Sequence, residues 1–532
     1  MKNKFYALLS GVALLMCSMH VLQAQPGSLD PTFNGTGYVV TPVNTLDAAQ
    51  KILVQPDEKV LLIGFSFDTN YVARTQVFRL LPDGTPDTDF GTNGVFTYEL
   101  DYEADIYSAV LTSEGKIILV GSTTDYQTYR LLLIQLNADG TLDNTFGTNG
   151  VVTGHISLPT ENTEDQAYDV SLDALGNILV CGSSDDLNYV PRPVVVRFTP
   201  SGVLDTTFGT DGVATIPVLT VGSNSFKGIV VQPDGKIVAS GYFGNTELWY
   251  VMLVVRFETD GTLDPTFGDA GIVKYNYGNV DDEGEDLKLL PDGSILVAGI
   301  TVTQSYNYSA LLAKFTPSGQ LDSTFGTNGT VKEDLANFDY AANLEAMSDG
   351  TIIMSGTSGV GPPNGFDLAV WKYNADGTRD NTFGSNGVVQ HAIPSYYTMI
   401  YAMDVQADGK ILIGGQARTT INQNYFFIAR LENDVISAVK ELSSVPEAFV
   451  YPNPANMYST ISLRISDAIQ SNALIKLYGS DGRMVTSISA QQLQRTGTIV
   501  NFNLPTGIAP GIYQVAFEQP GTRIATNILI NE

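Results

Sequence analysis

The residues best suited to chemistry form one acidic run, Asp281-Asp282-Glu283-Gly284-Glu285-Asp286. Paired carboxylates are what glycoside hydrolysis needs, one giving a proton and one activating water or attacking carbon. A solvated loop or a loose cation site is the commoner use of such a run, and the sequence alone favours it. No Gly-x-Ser-x-Gly, phosphate-binding loop or metal-spaced histidine cluster appears. The three histidines, His20, His155 and His391, are scattered, which disfavours a zinc site or a triad. The expectation is therefore no enzyme, no cofactor and no bound metal. A surface glycan-acting hydrolase or lyase with carboxylates near a central channel is the alternative.

A second set of candidates is aromatic: Tyr71, Tyr126, Tyr189, Tyr242, Trp249, Tyr306, Tyr308 and Tyr425. They lie in segments that differ from one another and are rich in Tyr, Asn, Ser and Thr. Exposed rings of this kind stack on sugar faces or anchor a protein partner. The competing role is packing between structural units.

What positions these residues is a repeat. An acidic-aromatic cluster recurs seven times about every 58 residues, as Leu29-Asp30-Pro31-Thr32-Phe33, Asp87 with Phe90, Asp143 with Phe146, Asp205 with Phe208, Asp264 with Phe267, Asp322 with Phe325 and Asp380 with Phe383. A fixed period of this size marks one supersecondary unit, copied, with neighbours covering each other's apolar faces. Each unit holds four short strand patterns. One follows a glycine, as in Gly94-Val95-Phe96-Thr97. The next ends in a hairpin signal such as Pro233-Asp234-Gly235-Lys236. The third is an apolar run such as Ile117-Ile118-Leu119-Val120, and the fourth carries a basic residue, as in Val255-Arg256-Phe257. Asp57-Glu58 departs from the Asp-Gly pattern and predicts a looser turn there.

Four strands in seven units predict an all-β, seven-bladed β-propeller over residues 25–434. The recurrent Phe is expected to plug between blades. The recurrent Asp is expected to bind turn amides or meet the basic residue of the fourth strand. The last unit lacks a closing strand, so Tyr38 to Thr41 is expected to complete it and tie the ring shut. Strand parity places the Pro-Asp-Gly turns and Leu-Asp clusters at one end of the ring and the variable aromatic segments at the other. That second end is the expected ligand face.

Residues 1–24 read as a secretory signal, with Lys2 and Lys4, an apolar run from Ala7 to Met16 and a cleavage site after Ala24. The run is too short to span a bilayer. Residues 1–24 hold two lysines and no acid, so the remainder carries 26 basic and 56 acidic residues, a net charge of −30. Such a surface repels nucleic acid and anionic lipid. Only Cys181 remains beyond the signal, too few for an internal disulfide.

Composition changes after Asp434. Residues 435–447 read as a linker, and 448–532 as a small C-terminal β-sandwich with alternating strands. Tyr451-Pro452-Asn453-Pro454, Gly482-Arg483-Met484-Val485, Leu504-Pro505 and Gly511-Ile512-Tyr513 resemble, in order, the type IX secretion sorting domain (type A). The resemblance implies export across a Gram-negative outer membrane, handling by the secretion machinery and a surface sortase, and a place at the cell surface or outside. The final Ile530-Asn531-Glu532 lacks the basic ending that many members show. Residues 27–434 resemble the delta-60 repeat family, which carries no single activity. Together these readings describe a secreted, surface-displayed, monomeric propeller that binds or adheres to a glycan or protein through its variable-loop face.

Overall fold

The computed structural model describes residues 25–433 except 42–45, 68–71, 101–102, 125–127, 157–163, 186–189, 218–221, 245–248, 279, 348, 362–364 and 420–422, together with segments between 450 and 531. The signal and its cleavage point after Ala24, the linker 435–447, and Tyr71, Tyr126, Tyr189, Pro452, Asn453, Pro454, Gly482 and Arg483 lie outside the described residues.

The first unit, which ends at Ile436, is a ring of seven four-stranded antiparallel blades. The innermost strands are Leu46–Val54, Glu103–Leu111, Asp165–Leu172, Asn224–Val231, Asp281–Leu289, Phe338–Ala346 and Tyr397–Val405, which define blades 1 to 7. Within a blade the strands run outward in chain order, as in Asn224–Val231, Ile237–Gly244, Tyr250–Phe257 and Ile272–Tyr275 of blade 4. The glycine-initiated strand is therefore the outer strand of one blade, not the start of the next. Val95–Tyr98, for example, pairs with Ala73–Leu80. The second strand is covered on both faces, and every residue of Ile117–Thr124 is buried. That explains its unbroken apolar run.

The ring closes through its N-terminal strand. Tyr38–Thr41 pairs antiparallel with Asn424–Leu431 and supplies the fourth strand of blade 7. A strap ahead of it is fastened by Asp30. Its Oδ1 accepts the Thr32 amide and hydroxyl at 2.9 and 2.7 Å, and its Oδ2 accepts Lys410 Nζ at 2.6 Å and Arg430 Nε at 2.7 Å. The other blades repeat this unit, except that blade 2 has Gln135 in place of the strand cation and its Asp143 takes Lys116 Nζ at 2.7 Å. Asp264 accepts Thr266 at 2.8 and 2.6 Å and Arg256 Nε at 2.7 Å. The Asp thus does both expected jobs, capping its own turn and holding the strand cation.

The recurrent Phe fills the seam between blades. Phe33, Phe90, Phe146, Phe208, Phe267, Phe325 and Phe383 are at most 1% exposed. Phe90 packs with Leu61 and Val77 of blade 1 and Ile106 and Leu119 of blade 2. Phe33 does the same between blades 7 and 1, beside Ile428 and Leu62. Guanidinium groups lie over four of these rings, as Arg256 lies 4.5 Å from the Phe267 centroid.

The Asp57-Glu58 turn is not looser than the others. Glu58 adopts a φ of 65° and takes the glycine's place. The turn bonds, Gln55 N to Lys59 O at 2.8 Å and Glu58 N to Gln55 O at 2.9 Å, match those around Gly235.

The second unit, residues 437–532, contains a four-stranded sheet that includes Thr460–Arg464 and Ile499–Asn503. It also contains a five-stranded sheet that includes Leu474–Gly479, Gly511–Gln519 and Thr522–Asn531. Tyr451 ends a strand, Gly511 opens one, and Tyr513 pairs with Gly479 on one side and Ile528 on the other. Among the described residues no helix is long and apolar enough to cross a membrane.

Candidate functional site

Every inner strand carries one irregularity at the same place. Its register slips by one residue against the second strand, between Ala49 and Lys51, Ile106 and Ser108, Ala167 and Asp169, Phe226 and Gly228, Gly284 and Asp286, Ala341 and Asn343, and Ile400 and Ala402. The extra residues are Gln50, Tyr107, Tyr168, Lys227, Glu285, Ala342 and Tyr401. A bulge leaves its extra residue out of the ladder and re-aims its side chain. All seven line one cavity of about 260 Å³, together with Lys51, Ser108, Asp169, Asp286, Tyr340 and Asn343. The bulges turn seven copies of a structural repeat into the wall of a central channel.

The acidic run is corrected by this arrangement. Residues Asp281–Leu289 are the inner strand of blade 5, not a loop. Alternation sends Asp282 and Gly284 into the blade and leaves Glu283 and Glu285 half-buried on the channel side. The aspartates serve the fold. Asp281 Oδ1 accepts the Tyr250 amide at 2.9 Å, and Asp282 Oδ2 accepts the Tyr277 amide at 2.7 Å. Asp286 Oδ2 reaches the next blade and accepts the Leu344 amide at 2.9 Å. Asp169 ties its neighbours in the same way, to Ser108 at 2.6 Å and the Ile229 amide at 3.1 Å.

Around Glu283 and Glu285 the channel is aromatic. The Tyr340 hydroxyl donates a hydrogen bond to Glu285. Lys227 stands 3.4 Å from the Tyr168 ring centroid and 5.8 Å from that of Tyr242. Tyr107 and Tyr168 lie 5.6 Å apart. Burial, reinforced by neighbouring Glu285, pushes the Glu283 carboxyl up to about 7. Burial also raises Glu285, against the opposing pull of Lys227 and the Tyr340 hydroxyl. In blade 2, burial and then Glu103 push Asp105 up to about 7. Burial takes the Tyr401 phenol up to about 12. Carboxyls poised near neutrality among phenols are able to exchange protons with a bound molecule. Among the described residues, no group of three or more His, Cys, Asp or Glu side chains is arranged to hold a metal.

The expected aromatic face is only partly assembled. Tyr242 packs on Tyr250 at 5.0 Å and stands 5.8 Å from the channel residue Lys227, outside the cavity wall itself. Trp249, 41% exposed, and Tyr306, 75% exposed, stand on the rim of blades 4 and 5. Tyr308 packs instead on Phe338 at 4.9 Å, in the seam between blades 5 and 6. Tyr425 is half-buried against Tyr396 and donates to Gln423 Oε1 at 2.8 Å. Sequence reasoning missed Tyr107, Tyr168, Lys227, Tyr340 and Tyr401. A signal for the bulges was present: each lies eight residues before the turn glycine, as Tyr168 before Gly176, Lys227 before Gly235 and Glu285 before Gly293, with Glu58 in the glycine's place after Gln50.

Comparison with known proteins supports the architecture. The family described as "Domain of unknown function (DUF5122) beta-propeller" matches seven times, at 55–90, 112–146, 176–208, 232–267, 290–325, 348–383 and 406–434. The "Secretion system C-terminal sorting domain" matches 449–531. No curated protein matches the chain. Among solved structures, a protein of unknown function from Dyadobacter fermentans is 12% identical, covering 75% of this chain and 98% of its own, with a TM-score of 0.38. A polysaccharide lyase of family PL25, an ulvan lyase, is 9% identical over 75% of this chain and 96% of its own, with a TM-score of 0.43. A GH43 endo-arabinanase from Bacillus licheniformis is 10% identical over 61% and 92%, with a TM-score of 0.28. The expectation that the chain is no enzyme is withdrawn on this finding, since propellers similar to it include glycan-cleaving enzymes. Their substrates belong to those proteins. The sorting domain directs this chain through type IX secretion to the cell surface or beyond. The chain belongs to the DUF5122 repeat propellers and carries a type IX secretion sorting domain at its C-terminus.

Proposed function

We propose that this secreted propeller recognises a neutral glycan, one sugar unit of which enters the central channel. The observation that carries the reading is the wall made by the inner-strand bulges. It sets the rings of Tyr107, Tyr168 and Tyr401 beside Gln50, Glu285 and Asn343 around one cavity. Aromatic faces take the apolar face of a sugar ring, and carboxylates and amides take its hydroxyls. The volume of about 260 Å³ lies at the lower edge of small-molecule sites, which run from about 300 to 1,000 Å³. It suits a single ring, with further units of a polymer lying over the rim near Trp249 and Tyr306.

Charge argues for a neutral polymer. The cavity wall holds Asp169, Glu285 and Asp286 against Lys51 and Lys227, and the whole chain carries −28. A uronate or sulfated polymer would meet repulsion at every scale. The test is affinity electrophoresis of the secreted chain in gels containing xylan, mannan, arabinan, galactan or mixed-linkage β-glucan, with alginate as the anionic comparison. Retardation by at least one neutral polymer, reduced in Tyr168→Ala, is the expected result. Retardation by alginate alone, or by none, overturns the reading.

A further inference from the structure

The blades are near copies, so a residue that departs from the repeat in one blade alone is not required by the shared frame. Three such departures fall on the seam between blades 2 and 3. The first is Gln135 in the third strand of blade 2, where the other blades hold Arg79, Arg197, Arg256, Lys314, Lys372 and Arg430. The arginines reach the next blade and donate from Nη1 to a turn carbonyl, as Arg79 does to Ala138 O at 2.6 Å and Arg197 to Thr259 O at 2.7 Å. From blade 2 the matching carbonyl is that of Pro200. A glutamine side chain ends level with the arginine Nε, so the space of the guanidinium carbon and outer nitrogens is left over. A cavity of about 570 Å³ opens there, with Gln135, Thr145, Phe146 and Pro200 in its wall. The second departure is Leu175 on the hairpin turn of blade 3. It is 81% exposed, lines the same cavity, and stands where the other hairpin turns place Asp or Glu. The third is Val203, 60% exposed, on the turn that also holds Pro200. Its equivalents Thr85, Thr141, Thr262, Gln320 and Thr378 are polar.

We infer that this seam is a docking site for a polypeptide that inserts an arginine side chain. The receptor for a guanidinium is already built. In blades 4 and 7 the strand arginine also donates from Nη2 to a threonine hydroxyl, that of Thr266 or Thr32. It lies 4.5 Å from the Phe267 centroid in one and 4.7 Å from that of Phe33 in the other. Thr145 and Phe146 are the equivalents at the blade 2–3 seam, and both line the cavity beside Pro200. Charge favours a cation. Lys116 on the wall is shared by Asp143 at 2.7 Å and Glu114 at 3.7 Å, and Asp173 adds a further carboxylate, so negative charge is in excess. Leu175 and Val203 argue for a polypeptide over a free cation. Apolar side chains held out in water beside a charged pocket are covered when a partner lays its own apolar residue on them. By strand parity the seam cavity lies at the opposite end of the ring from Trp249 and Tyr306, so it is separate from the glycan reading.

The experiment is fluorescence polarisation of the secreted chain with capped, dye-labelled hexapeptides that hold one arginine between apolar residues. Matched peptides carry citrulline, the neutral isostere of arginine. An arginine peptide is expected to bind about tenfold or more tightly than its citrulline match, the worth of one charged hydrogen bond. Gln135→Arg supplies a basic residue as in the other blades. It is expected to fill the cavity, leave the urea midpoint no lower than wild type, and weaken the peptide about tenfold or more. Leu175→Ser is expected to weaken it by a smaller factor. Binding unchanged in Gln135→Arg or in Leu175→Ser, equal affinity for arginine and citrulline peptides, or no binding by any peptide overturns the inference. Displacement of the peptide by free arginine at equal concentration would make the site one for a small guanidinium compound and overturn the polypeptide assignment.

Discussion

The channel exists only if the ring closes, and Asp30 is the side chain on which closure converges. Its carboxylate is fully buried, and so is most of Arg430, whose side chain is 7% exposed. Asp30→Ala removes the partner of Arg430 and Lys410 and the cap of the strap in one change. Breaking a buried ion pair from one side costs about 3–5 kcal/mol, because the remaining charge stays out of water. The equivalent change in blade 5, Asp322→Ala, removes a carboxylate that is 18% exposed and 3.1 Å from Lys314. There the loss is about 1–2 kcal/mol. Urea unfolding followed by tryptophan fluorescence reads the difference, since Trp371 is wholly buried in blade 6. The expected order places Asp30→Ala well below Asp322→Ala in stability. Equal losses would refute the claim that the N-terminal strap locks the ring.

Three further outcomes follow from the same coordinates. Glu58→Gly relieves a non-glycine residue at a φ of 65° and is expected to stabilise the chain by about 1 kcal/mol, read as a higher urea midpoint. Asp30 and Asp143 are held at about 2, Asp30 because Lys410, Thr32 and Arg430 outweigh its burial, and Asp143 by Lys116 and Thr145. Such depressed carboxyls stabilise the fold above their unfolded value near 3.9, and that contribution disappears as pH falls towards 2, so acid unfolding is expected in that window. Glu283 has the opposite sign. Its raised value near 7 means that stability present below about pH 4 is lost as pH rises through 7, so Glu283→Gln should gain roughly 2 kcal/mol over wild type at pH 8 and little at pH 4. Equal midpoints at both pH values would contradict that placement.

Much of the fold was legible because it repeats. Phe33 and its six equivalents, the Asp-Gly turns and the missing last strand each point to the ring, and each has a single physical role in every blade. The phase of the unit was harder to read. A glycine opens the outer strand, yet the blade ends there, because pairing and not sequence order decides which strands share a sheet. The turn at Glu58 was misread for a similar reason. The hydrogen-bond pattern holds φ positive there, and the local cost is met by the rest of the hairpin.

The channel was less legible than the ring. Its residues sit at a position where the repeat varies from blade to blade, so they leave no shared residue type. Gln50, Tyr107, Lys227 and Glu285 have nothing in common except the bulge and its distance to the turn. The acidic run looked like a solvated loop because five of its six residues are acidic. Backbone amides from neighbouring segments are what make three of its aspartates tolerable in a strand. Exposed loop aromatics drew attention instead, and of these Tyr308 and Tyr425 proved to pack within and between blades.

The most direct measurement is calorimetric titration of the secreted chain with an oligosaccharide prepared from the polymer that retards it. If the channel wall holds the ligand, binding saturates at one site per chain. It weakens at least tenfold in Tyr168→Ala and in Asn343→Ala, and by less in Tyr306→Ala. Binding that ignores both channel substitutions and is lost with Tyr306 or Trp249 would place recognition on the rim and contradict the account.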